Sequence, residues 1–266
     1  MPIAQVSRAS PLLPGPRRAV CGRFWLHGPW HGTWTLGLSL CLCGPAWSGA
    51  FSVTPIRIFM TPRDRAVAVT LMNEGSTPLR LQADLMQWQQ DAQGQDLLEA
   101  TEDLILSPPI IELGPHARQV VRLARLVAPD PQKQLSYRLL VQEMPETARD
   151  RPSGLQIPIA LALSMPVFIT PPGIRHALQC QFEAQAATRA RLSCGNTGTA
   201  HVQVREVTVS HQGRVLGRYS GSSYILPGAR KDLPITLTQA APSGQPVQVQ
   251  WLFNDTLRDQ LSAVWP

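Results

Sequence analysis

Acidic residues are missing from the first 50 positions of this 266-residue chain, where Arg8, Arg17, Arg18 and Arg23 stand unopposed. That local deficit accounts for most of the net charge of +6: with those four set aside, 20 of the 24 Lys+Arg remain against 18 Asp+Glu. A basic balance confined to one leader is poor support for nucleic-acid binding, and none is expected. The leader also lacks an apolar run of the ~20 residues a membrane span needs. Within "TWTLGLSLCLCGPAWSGA" (33–50) the apolar core covers only 34–43, and Gly and Pro follow at once. A basic region, a short apolar core and the small residues Ser48-Gly49-Ala50 read as a signal peptide over 1–50, cleaved after Ala50, in preference to an anchor. Leu precedes both Cys41 and Cys43, which disfavours a lipoprotein site at either. The expectation is an exported chain without stable membrane insertion.

Cysteine is scarce as well. Of five, Cys21, Cys41 and Cys43 would leave with the leader. Cys180 and Cys194 remain, and two cysteines in an exported chain most simply form one disulfide. A metal site is the alternative, but it would need further Cys or His ligands at short spacing, and none are near. Enzyme signatures are absent too. His116, His176, His201 and His211 are scattered, and there is no G-x-S-x-G, H-E-x-x-H or phosphate-binding glycine loop. The chain reads as a non-enzyme with no metal and no cofactor, although an exported hydrolase assembled from distant residues would leave no such spacing.

What the sequence does contain is alternation. In "LQIPIALALSMPVFITPP" (155–172) Leu155, Ile157, Ile159, Leu161, Leu163, Met165, Val167 and Ile169 are all large and apolar, while Gln156, Ala160, Ala162 and Ser164 are small or polar. A period of two is a β-strand with one apolar face. Pro158 and Pro166 share a parity, so both missing N–H donors lie on one edge. The other edge can pair normally. That is an edge strand, with Ala160, Ala162 and Ser164 still offering backbone groups on its open side. Exposed edges attract pairing, so self-association of the free protein is an open expectation, and so is loan of the strand to a partner that lacks one.

Shorter period-two runs fill the rest: "RAVAVTLMNEG" (65–75), "PLRLQADLMQW" (78–88), "HARQVVRLARL" (116–126), "SYRLLVQEMP" (136–145) and, beyond "TPPG" (170–173), "RARLSCGNTG" (189–198), "DLPITL" (232–237) and "QPVQVQWLF" (245–253). Gln90–Gln95 reads as a hairpin loop. A parity slip between Val202/Val204 and Val207/Val209 predicts a bulge near Arg205–Glu206. No sustained helical period appears beyond the leader. The pattern predicts an all-β chain of two sandwich domains, 51–170 and 173–266.

In order and spacing, "FSVTPIRIF" (51–59), "VTLMNEGSTPLRLQADLMQW" (69–88), "LSPPIIELGPHARQVVRL" (106–123), "YRLLVQEMP" (137–145), "GLQIPIALALSMPVFITPP" (154–172), "LSCGNTGTAHVQV" (192–204) and "LFNDTLRD" (252–259) resemble the PapD-like periplasmic pilus chaperones, with "SMPVF" (164–168) similar to their archaic branch. The resemblance implies two Ig-like β-sandwich domains set at an angle, in the periplasm. It implies a chaperone that stabilises pilin subunits by donor-strand complementation and delivers them to an outer-membrane usher. It places Leu155, Ile157, Ile159, Leu161 and Leu163 in the donor strand and Arg57 at the subunit's C-terminal carboxylate. The family's usual lysine partner falls near Ser164 or Pro166 here, leaving Arg138 as the substitute. It assigns Glu143 and Asp255 to an interdomain ion-pair network whose family arginine falls at Thr170, so the network is either reduced here or completed by another arginine. The competing reading is an exported Ig-like adhesin or binding module without strand donation.

Overall fold

The computed structural model describes residues 51–144 and 160–266. The leader 1–50 and three of the expected donor residues, Leu155, Ile157 and Ile159, lie outside them. The first half holds β1 (Phe51–Thr54), β2 (Ile58–Met60), β3 (Ala66–Asn73), β4 (Leu79–Gln90), β5 (Asp96–Ala100), β6 (Leu104–Ser107), β7 (Ile110–Leu113), β8 (Arg118–Arg125), β9 (Leu135–Glu143) and β10 (Ala162–Ile169). The second half holds β11 (Leu178–Ala186), β12 (Arg189–Asn196), β13 (Val202–His211), β14 (Arg214–Ile225), β15 (Arg230–Leu237), β16 (Pro246–Phe253) and β17 (Leu257–Val264). No helix occurs among the described residues.

In the first half, a four-stranded sheet in the order β1-β3-β8-β6 faces a sheet in the order β2-β10-β9-β4-β5, with β7 also on β4. The facing residues are those the alternation picks out: Val69 and Leu71 of β3, Leu81 of β4, Val121 and Leu123 of β8, and Leu139 and Val141 of β9, all at most 1% exposed. In the second half, seven strands run β11-β12-β15-β14-β13-β16-β17 and curl over one core that brings Leu192 and Ile235 together with Val207 and Trp251. At Gly217 β14 lies close against β15: an added Cβ would sit 2.6 Å from the Thr236 carbonyl oxygen. The bulge predicted near Arg205 is present, as a register shift between Val204 and Glu206 against both β14 and β16. Cys180 and Cys194 face each other across β11 and β12 and are joined in a disulfide.

Both halves secure the end of one strand with the same device. Asn73 is fully buried; its Nδ2 donates to the carbonyls of Thr77, Leu113 and Gly114, and its Oδ1 accepts from Gly75 N–H. Asn196 repeats this, donating to Ala200 and Ile225 and accepting from Gly198 N–H. The "N-x-G" in each half is thus a turn held by an amide side chain rather than by solvent.

The two sandwiches meet on the outer face of the second sheet. The odd residues of β9 and β10 fill the first core, so their even residues point away from it. Phe168 and, on β4, Trp88 join the second core, together with Val202, Val204 and Ile225. The Phe168 ring stacks on His201 at 3.8 Å between centroids and 7° between planes. Gln134 ties the seam, accepting from His201 Nδ1–H (2.6 Å) and N–H and donating to Thr170 Oγ1. Gln90 adds a two-bond bridge to the backbone of Tyr224 and Leu226.

Burial, with His176 and Arg57 nearby, pushes His201 down to about 3, so it is neutral in the native protein at every ordinary pH. The unfolded chain takes up a proton near pH 6.5 that the native chain refuses, so stability is lost as pH falls from 6.5 toward 3. Between pH 7 and pH 5 the loss attributable to His201 is about 2 kcal/mol. Urea unfolding of the wild type and of His201→Phe at both pH values checks this. The variant, which keeps an aromatic ring on Phe168, is expected to lose about 2 kcal/mol less on acidification.

Candidate functional site

β10 has a different neighbour along each part of its length. Antiparallel to β9 it is paired throughout, from Ala162↔Gln142 to Ile169↔Leu135. On its other edge, β2 pairs in parallel only at Val167, Phe168 and Ile169. Thr170 N–H donates to Met60 on the β2 side, whereas the Leu161 carbonyl accepts from Glu143 N–H on the β9 side. Even residues therefore address the β2 edge and odd residues address β9. Pro166, an even residue without an N–H, sits where pairing with β2 begins. Ahead of it, the N–H groups of Ala162 and Ser164 face an edge with no strand beside it among the described residues. The expected open edge is therefore partly covered: β2 closes its last three residues because the first strands of the chain return alongside it.

The apolar ladder changes surroundings along the same line. Ile169 and Val167 are fully buried and Met165 is 4% exposed. Leu163 only partly packs on the first core, and Leu161 is 38% exposed. A ladder of constant side-chain type thus leaves its own core as it runs toward residue 160.

A cleft of about 600 Å³ opens beside this bare edge, walled by Ser164 and Pro166 of β10, by Arg57 and Arg138, and by Arg205 and Tyr224 of the second sandwich. Both arginines expected at a subunit carboxylate are here. Arg138 is held flat: its guanidinium carbon lies 3.6 Å from the Trp88 ring centroid, and its Nη2 reaches Asp96 at 3.4 Å. Burial lowers its pKa and the nearby Asp96 carboxylate opposes that shift. Arg57 lies between β1 and β2, with Nη1 3.2 Å from Asp255 Oδ2 and 3.3 Å from Gln203 Oε1. Arg205 Nε donates to Asp255 Oδ1 at 2.8 Å. Hydrogen bonds from Arg205 and then from Arg57 hold the Asp255 carboxylate below its usual range.

Asp255 thus enters an ion-pair network between the sandwiches, completed by Arg57 and Arg205. Glu143 is placed elsewhere: at the end of β9 its Oε2 accepts from Leu161 N–H at 3.4 Å, and it does not meet Asp255. The strand pairing accounts for this, since Glu143 lies opposite Leu81 on β4 at the end of the sheet remote from the Phe168 seam. Arg205, Gln203, Trp88, Phe168 and His201 were not picked out from the sequence. The parity slip at 204–206 was the one available signal for Arg205, because a bulge re-aims its side chain. Among the described residues no cluster of His, Cys, Asp and Glu could hold a metal ion.

Residues 50–175 match the family described as pili and flagellar-assembly chaperone, PapD N-terminal domain. Among solved structures, the chain is similar to one from the CsuC–CsuE chaperone–tip adhesion subunit pre-assembly complex of archaic chaperone-usher Csu pili of Acinetobacter baumannii: TM-score 0.59 and 20% identity, over 80% of this chain and 97% of that one. It is similar to the Pseudomonas aeruginosa CupB2 chaperone (TM-score 0.52, 17% identity, over 81% of this chain and 100% of that one). It is also similar to the E. coli chaperone DraB (TM-score 0.51, 15% identity, over 82% and 97%). At these identities the likeness is one of fold. No curated protein sequence matches the chain significantly. The family match and the structural likeness lead to one conclusion: residues 50–175 form a PapD N-terminal domain of the pili and flagellar-assembly chaperones, within a chain that shares the two-sandwich fold of these solved chaperones.

Proposed function

We propose that this protein is a periplasmic chaperone of pilin subunits, acting without catalysis by lending β10 and its upstream ladder to a subunit that lacks a strand. The observation that carries the reading is the edge ahead of Pro166, where among the described residues no strand pairs the N–H groups of Ala162 and Ser164, beside Leu161 and Leu163 as these leave their own core. Strand addition needs both parts: backbone groups for the ladder and alternate side chains for the groove. Leu155, Ile157 and Ile159 extend the same parity in sequence and would deepen the insertion. Residues 51–170 would form the lending domain and 173–266 its support, with Arg57 and Arg138 receiving the subunit's terminal carboxylate in the cleft. Delivery to an outer-membrane usher completes the role, and the bare edge gives the free protein a surface for self-association.

Two substitutions on one ladder separate lending from simple core packing. Val167→Asp places a charge in a fully buried site and is expected to unfold the first sandwich, at a cost of several kcal/mol. Leu161→Asp lies where the ladder is already exposed and is expected to leave the melting temperature nearly unchanged while abolishing subunit co-purification. Equal loss of melting temperature in both variants would return the whole ladder to the chaperone's own core. A stable Leu161→Asp variant that still captures subunit would favour a binding module without strand donation.

A second expectation concerns the cleft. Arg57→Ala should weaken subunit capture by about tenfold or more, since a charge-assisted hydrogen bond to a carboxylate contributes roughly 1.5–3 kcal/mol. Pull-down with matched circular dichroism measures it, and undiminished capture by a folded Arg57→Ala variant refutes the assignment.

A further inference from the structure

Asp255 presents a carboxylate to the guanidinium that a subunit's terminus would need. Its two oxygens are divided: Oδ2 takes Arg57 Nη1 at 3.2 Å, from the first sandwich, and Oδ1 takes Arg205 Nε at 2.8 Å, from its own. The turn that carries it is fixed. Asn254 and Asp255 both hold positive φ, 49° and 66°. Asn254 N–H donates to the Gln203 carbonyl and Asn254 Oδ1 accepts from Gln203 N–H, which clips the turn to β13. The Gln203 side chain completes the arrangement by accepting from Arg57. An acidic group is thus mounted at a set position beside a cleft whose charged lining residues are three arginines.

We propose that Asp255 is an internal stand-in for the subunit's terminal carboxylate, holding Arg57 in the free chaperone and passing to Arg205 alone when a subunit is captured. The proposal rests on the reading of Arg57 as the carboxylate receiver. The exchange has a direction. The Arg57 and Asp255 side chains are 37% and 48% exposed, so their pair is solvated and easily given up. A carboxylate brought in under a bound strand loses water, and its attraction to Arg57 strengthens as the local dielectric falls. Arg205 makes the shorter of the two contacts and keeps Asp255 paired after release, so no charge is stranded. Asp255 would therefore select against weak occupants of the cleft. Its release would also remove one tie between the sandwiches while the Phe168–His201 seam stays in place.

The test uses an N-acetylated hexapeptide of alternating valine and threonine with a free terminal carboxylate, and the same peptide as its terminal amide. Each is titrated into purified wild type, Asp255→Asn and Arg57→Ala/Asp255→Asn, with affinity read by calorimetry. Asparagine tolerates positive φ, so this variant should keep the turn, and an unchanged melting curve verifies that. The wild type is expected to prefer the acid over the amide. Asp255→Asn should widen that preference roughly threefold, the scale of an exposed ion pair. The double variant, which keeps Arg138 and Arg205 in the cleft, should show a smaller preference than Asp255→Asn. An unchanged or narrowed preference in a folded Asp255→Asn variant overturns the stand-in while leaving the carboxylate reading intact. Absence of any acid preference in both wild type and Asp255→Asn overturns the carboxylate reading of Arg57, and the stand-in falls with it.

Discussion

The arrangement depends on a single strand having to satisfy two cores at once. Over the last three residues of β10, Val167 and Ile169 seal the first sandwich while Phe168, between them, lies in the second core against His201. Alternation permits nothing else: if odd residues face one core, the even residue has to face away, and here a second domain waits there. That double burial immobilises the carboxyl half of β10. Among the described residues the amino half has β9 on one side only, and its ladder grows exposed. An edge strand fixed at one end and uncovered at the other by any described strand can take part in another sheet without disturbing the protein's own fold.

Arginine is what the cleft between the sandwiches requires. Lys133 and Lys231 are the only lysines in the chain, so no ammonium group lines the cleft. A guanidinium is planar, and Arg138 uses this to lie on Trp88 while its edge stays directed at Asp96. Arg57 and Arg205 share one carboxylate through separate oxygens, which a pair of point charges would do less selectively. Tyr224 carries the aromatic seam to the wall of the cleft, and the arginines supply donors beside it.

Much of the first sandwich was legible in the sequence, because a two-residue period survives translation into structure: Val69, Leu71, Leu81 and Val121 are buried where the pattern predicts. The bulge beside Arg205 was legible for the same reason, as a break in parity. The seam was not. Trp88 follows Leu79, Leu81 and Ala83 on the opposite parity, and in sequence it reads as the outer face of a strand rather than as the start of another core. Phe168 was hidden likewise inside a ladder defined by its odd neighbours. Glu143 was assigned to the network from a resemblance in "QEMP" alone, and the register of β9 on β4 places it at the wrong end of the sheet to meet Asp255. Alternation in one strand says which residues share a face, but not that both faces will be covered.

The proposed strand loan requires that the even-parity backbone of β10 ahead of Pro166 be unpaired in the free protein and become paired on capture. Amide hydrogen exchange at single-residue resolution, with and without a bound pilin subunit, reads this directly. The N–H groups of Ala162 and Ser164 are expected to exchange rapidly in the free protein and to become strongly protected in the complex, while that of Leu163, directed at β9, is protected in both. Unchanged rapid exchange at Ala162 and Ser164 in a saturated complex would contradict strand lending by β10.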